Sequence, residues 1–166
     1  MFKVGDTVIH PKLGACQVKQ IISHPILGEE ERCLVLIPLF ENHNNLKIPL
    51  PVKNSHEVGL RRPVTIRGVE AIKAFLSQKV DGAQVNGQEV SLPSLRNKLA
   101  SGDPQQIAEA IRDLHAKITQ DDGKYASARR LSFLKEAKEQ LAREVSISTG
   151  LTIKEASVKI YSILEA

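Results

Sequence analysis

The spacing of apolar residues changes once along this chain, between residues 62 and 70, and that change constrains the fold more than any single motif. Before it, short apolar runs are separated by Gly, Pro and Asn; after it, apolar residues recur every three or four positions. Glycine takes φ > 0 freely and proline fixes φ, so close punctuation suits short strands in a small, strongly bent sheet. A repeat of about 3.6 instead puts side chains on one face of a helix. Of the 166 residues 42% are hydrophobic, enough to fold, but only 4% are aromatic and none is Trp. The cores must be built from Leu, Ile, Val and Ala.

In the first 66 residues, Gly5-Asp6 and Pro11-Lys12-Leu13-Gly14 are turns bounding a strand at 7–9, and a second strand runs over 15–22. Residues 23–28 read as a link. Residues 32–39 hold an unbroken apolar run, which suits a strand covered on both faces, and Pro38 has to sit at its end or at an edge. Asn42-His43-Asn44-Asn45 is a turn cluster, and 46–51 is extended with two prolines. Segments 55–60 and 62–66 complete five or so short strands, the pattern of a small SH3 or Tudor-like β-barrel.

From Gly68, Val69, Ile72, Phe75 and Leu76 fall on one helical face. Residues 80–91 form a polar loop with turn signals at Asp81-Gly82 and Asn86-Gly87. A short helix over 93–100 ends at Gly102 in a left-handed cap. Asp103, Pro104 and Gln106 then supply a helix start, followed by the stripe Ile107, Ile111, Leu114 and Ile118 and a break at Asp121-Asp122-Gly123. Leu131, Leu134, Ala137, Leu141 and Val145 make another stripe, ending near Gly150. Thr152 and Glu155 form a capping box ahead of Ala156, Ile160, Ile163 and Leu164. The fold class is therefore α+β as two domains, a β-barrel over 1–66 and an all-α helical bundle over 67–166.

Enzyme chemistry finds no foothold. There is no P-loop, GxGxxG or GxSxG motif. His10, His24, His43, His56 and His115 include no i,i+4 pair, so neither a metal nor another cofactor is expected. Cys16 and Cys33 form no CxxC and read as reduced core thiols. Glu29-Glu30-Glu31 read as a solvated turn. No stretch approaches the ~20 apolar residues of a spanning helix, and no charged leader precedes an apolar run, so a cytoplasmic protein with no membrane partner is expected.

The net charge of +4 and pI near 9.1 allow a polyanion partner without requiring one. Between residues 124 and 143, Lys124, Arg129, Arg130, Lys135, Lys138 and Arg143 are opposed only by Glu136 and Glu139. Two readings stay open: a solvated helix face, or a face that contacts DNA phosphates without reading sequence. Arg96, Lys98 and Arg112 extend the patch. No aromatic interleaves with these cations to stack on bases.

Residues 2–21, from Phe2-Lys3-Val4-Gly5-Asp6 through His10-Pro11-Lys12-Leu13-Gly14, resemble the start of the RNA-polymerase-interacting domain of the CarD/CdnL family, shared with the transcription-repair coupling factor. Leu34-Val35-Leu36, Ile48-Pro49-Leu50-Pro51 and Val58-Gly59-Leu60-Arg61 continue the likeness. So do Lys98-Leu99-Ala100-Ser101-Gly102-Asp103 and Ile107-Ala108-Glu109-Ala110-Ile111-Arg112-Asp113-Leu114. The motifs recur in order across both halves.

The resemblance implies a bacterial transcription regulator, not an enzyme. Its Tudor-like domain would bind the RNA polymerase β subunit, in part through an exposed strand edge, with the contact mapping to His24, Lys47, Ile48, Pro49 and Leu50. Family members often carry arginines at the places of His24 and Pro49; Lys47 offers a charge but not the planar Arg fork. The family's helical domain contacts promoter DNA through a Trp wedge and nearby cations. The wedge position falls on Gln88 and the neighbouring basic positions on Val90 and Pro93, so no wedge is carried over. DNA contact is then expected along the backbone, through Gln88, Arg96, Lys98, Arg112, Arg129, Arg130, Lys135 and Lys138. The function implied is modulation of initiation by a protein tethered to polymerase and touching promoter DNA non-specifically. An alternative is a polymerase-binding adaptor whose helical domain binds another protein. A third is a stand-alone interaction module of Tudor-like fold. The oligomeric state leaves no signal in the sequence.

Overall fold

Thr7–His10 (β1), Gly14–Ile26 (β2), Glu29–Pro38 (β3) and Ile48–Pro51 (β4) form one antiparallel sheet in the order β1-β2-β3-β4. The helices are Ile66–Leu76 (α1), Leu92–Ala100 (α2), Pro104–Gln120 (α3), Ala128–Thr149 (α4) and Ile153–Glu165 (α5). This is a computed structural model, and it describes residues 1–166 apart from 27, 41–45, 81–84, 86–89, 121–122 and 124–125. The turn signals at 42–45, 81–82, 86–87 and 121–122 lie outside the described residues. The chain divides into two compact units, Met1–Pro63 and Val64–Ala166.

The sheet unit is an α+β arrangement's β half, packed around Val8, Cys16, Val18, Leu34, Leu36, Leu50 and Leu60. The four consecutive residues Cys33, Leu34, Val35 and Leu36 are all buried, so β3 is covered on both faces, and Pro38 is its last residue. The register between β2 and β3 slips between Val18 and Gln20. That bulge absorbs Lys19, so Ile21 packs on the same core as Cys16 and Val18 although its parity differs. Ile9 exchanges backbone hydrogen bonds with Arg61, N–H to O distances 2.8 and 3.1 Å, which brings the chain past β4 to the edge of β1.

Two local expectations are corrected. Residues 23–26 are not a link: Ser23, His24, Pro25 and Ile26 pair with Arg32, Glu31, Glu30 and Glu29, which extends the hairpin and places the three glutamates in a strand. Pro25 is tolerated because no third strand pairs with this arm among the described residues. Residues 55–60 are not a strand either. A 3-10 turn, Val52–Asn54, runs into turns closed by Val58 N–H to Asn54 O and Gly59 N–H to His56 O, with Gly59 at φ 77. Among the described residues only Arg61 bridges within the expected strand at 62–66 and its border, and Ile66 already opens α1.

The helical unit packs around α3, whose Ile107, Ile111 and Leu114 meet Val69 and Ile72 of α1, Leu95 and Leu99 of α2, and Leu141 and Val145 of α4 in one core. Ala108, Ala137, Ala142 and Ala156 are buried at the same core, where small side chains let helices approach. The caps follow the sequence. Asp103 Oδ1 accepts from Gln105 N–H at 3.0 Å, Gly102 takes φ 65, Gly150 takes φ 74 after α4, and Thr152 and Glu155 bond reciprocally as a capping box. Leu131 departs from the expected stripe: it is exposed, in a first turn that precedes the packed stretch beginning at Leu134.

Candidate functional site

β4 exists because Leu50 and Ile48 point at the sheet core while Pro49 between them points to solvent. It pairs with β3 as Ile48–Leu36, Pro49–Val35, Leu50–Leu34 and Pro51–Cys33. Proline has no N–H, and an antiparallel ladder exchanges its bonds at alternate residues. The bonds to β3 therefore run through Ile48 and Leu50, and the backbone of Pro49 and Pro51 faces the other way. β4 is the terminal strand, and nothing pairs with its outer edge among the described residues. Lys47, exposed and next in the same alternation, flanks that edge.

The residues assigned to polymerase contact do not all come together. Lys47, Ile48, Pro49 and Leu50 are contiguous, with Leu50 serving the core rather than the surface. His24 is exposed on β2 opposite Glu31, whereas Ile48 is opposite Leu36. Lys47 and His24 thus lie toward opposite ends of β3, on the order of 20 Å apart along the strand. Around His24 the hairpin is acidic: Ser23 Oγ donates to Glu30 at 2.6 Å, and Lys53 bonds Glu31. That bond raises the Lys53 pKa, helped by the fields of Glu31, Glu29 and Glu57 against some desolvation.

The cations assigned to DNA separate into two groups. Lys98 lies 3.6 Å from Glu109 and 4.0 Å from Asp113. Arg112 donates from Nε and Nη2 to Asp113 Oδ1 at 3.0 and 2.9 Å and lies 4.1 Å from the centre of the Phe75 ring. Lys138 is only 7% exposed, its ammonium 4.1 Å from the centre of the Tyr161 ring. Burial lowers the Lys138 pKa, against the opposing field of Glu165. These three are occupied inside the helical unit. Arg96, Arg129 and Lys135 are exposed, and Arg130 is half-buried. Arg129 and Arg130 occupy the first turn of α4 behind its cap Ser127, with no acidic residue in that turn. Gln88 lies outside the described residues, and Val90 is fully buried.

The burial of two charged residues, Glu144 and Lys138, was not foreseen from sequence. Glu144 is buried and accepts from Val64 N–H at 2.9 Å, fixing the chain where it enters the helical unit. Arg143, beside it, is exposed and joins the outer face of α4. The signal for Lys138 was present: it follows Leu134 by four and precedes Leu141 by three, which places it on the packed face. No group of three His, Cys, Asp or Glu among the described residues could hold a metal ion, and no helix among them is long and apolar enough to cross a membrane.

With this geometry in view, residues 2–64 match the CarD-like/TRCF RID domain and residues 93–161 match the CarD C-terminal domain. The pairing defines a transcription factor that interacts with RNA polymerase. The chain belongs to the CarD-like family, whose members are non-enzymatic transcription factors.

Proposed function

We propose that the sheet unit docks on the RNA polymerase β subunit through the outer edge of β4, and that the helical unit touches promoter DNA phosphates to modulate initiation. The observation that carries the docking is β4 itself, a terminal strand with Lys47 and Pro49 exposed along the side that nothing pairs with among the described residues. An added strand gains main-chain bonds there, and side chains set selectivity. On the helical unit, the DNA-facing residues are Arg129, Arg130 and Lys135, with Arg96 on α2. Two arginines in the first turn add to the positive end of the helix dipole instead of cancelling it, which favours an anion. Lys98, Arg112 and Lys138 act as internal packing cations. Such a protein works in the cytoplasm, on the nucleoid.

The test is a pair of titrations of the full chain, one with core polymerase and one with promoter DNA over a salt series. Binding of polymerase together with a DNA affinity whose salt slope shrinks in Arg129→Glu/Arg130→Glu supports the reading. A polymerase-bound chain with no DNA affinity supports the alternative, an adaptor whose helical unit binds another protein. The exposed Val158 and Tyr161 on α5 favour that alternative as a surface.

A further inference from the structure

The outward face of β4 accepts hydrogen bonds but offers almost none. Pro49 presents a carbonyl and no N–H to that side. Pro51 shares its orientation, and its carbonyl opens the 3-10 turn Val52–Asn54 that follows. Lys47 is the one donor of this alternation among the described residues. A second copy aligned with Pro49 against Pro49 would set two carbonyls side by side with no hydrogen between them. Sliding that copy by one repeat lets each Lys47 N–H reach the opposite Pro49 carbonyl, but it brings two lysine ammoniums onto one short ladder, where like charges repel. A strand of another protein meets neither obstacle, since its own N–H groups supply what β4 lacks. Proline on an edge strand is a known obstacle to edge-to-edge association.

We infer that Pro49 makes the outer edge of β4 an acceptor-only docking edge, which receives a polymerase strand bringing its own N–H donor and refuses a second copy of this chain. The identity of the partner rests on the docking reading above; the refusal of self does not.

The experiment uses the full chain with Pro49→Val and, as a second variant, Pro49→Thr. Both side chains suit a strand, and both restore an N–H at the outer edge. Sedimentation velocity over a concentration series reads self-association. Titration with core polymerase, followed by hydrogen exchange at residue 49, reads docking. Both variants are expected to self-associate at least tenfold more tightly than the wild type, to bind polymerase more tightly through the ladder bond that the residue-49 N–H adds, and to have that amide protected in the complex. Self-association no tighter than wild type in variants with an unchanged far-UV spectrum overturns the refusal of self. Polymerase binding with the residue-49 amide unprotected overturns the assignment of this edge while polymerase binding stands. Failure of all three proteins to bind polymerase overturns the docking reading, and the sedimentation series still decides what Pro49 does.

Discussion

Lys138 shows how the fold sorts residues of one charge into different roles. Its ammonium is packed against the Tyr161 ring with His115 and Glu165 in its field. Removing an ammonium from water is costly, and a ring face and a distant carboxylate return only part of that. Lys138→Met should therefore hold or raise stability by about 1 kcal/mol and leave DNA affinity unchanged, as read by thermal melts and a DNA titration. A histidine sets a second residue-scale expectation. The His10 ring Nδ1 accepts from the Lys12 and Leu13 N–H groups at 3.1 and 3.3 Å, which orders the first turn. Burial, then the charge of Lys12, lowers its pKa from 6.5; burial and Lys138 do the same at His115. Below 6.5 the unfolded chain binds these protons more readily than the folded one, so their stabilising contribution is complete above that pH and is lost as pH falls through the folded values. Denaturant melts between pH 7.5 and 5 should show declining stability, with a shallower decline in His10→Asn.

At the scale of elements, caps and periods were legible in the sequence because they depend on neighbours a few residues away. The Thr152–Glu155 box, the left-handed Gly102 and the stripes of α3 and α5 belong to this class. Thr152→Ala should cost about 1 kcal/mol and speed hydrogen exchange in the first turn of α5. What was not legible depends on distant pairing. The Lys19 bulge, the strand continuation through Pro25 and the turns at 52–60 follow from β3 and the sheet core, and no local propensity announces them. Gly68 gives the sharpest case. In a helix, alanine ordinarily gains up to about 1 kcal/mol over glycine. A Cβ at Gly68, however, would collide with Val64 Cγ2. Val64 is itself held by its N–H bond to the buried Glu144. Gly68→Ala should therefore destabilise, by about 1–3 kcal/mol, in thermal or urea unfolding. A gain in stability would show that Val64 yields easily.

For the whole molecule, the α+β order and the family were legible, since ordered motifs span both halves and the matches over 2–64 and 93–161 cover the same stretches. The candidate site was legible only in part. Cations on a helix can be counted from sequence, but whether Arg112 faces a phosphate or Asp113 is decided by packing. The β4 segment could be placed by likeness, while the separation of His24 from Lys47 is set by strand register. Arg129→Glu/Arg130→Glu should lower DNA affinity and reduce the salt slope by about 0.9 for each phosphate no longer neutralised, with binding to polymerase alone unchanged. The central claim is that the sheet unit is the tether, and the most direct measurement is titration of core RNA polymerase with the full chain in the absence of DNA. The account predicts saturable binding that survives Arg129→Glu/Arg130→Glu and weakens at least fivefold in Lys47→Glu. No binding by the wild type, or binding abolished with the α4 arginines and indifferent to Lys47, would contradict it.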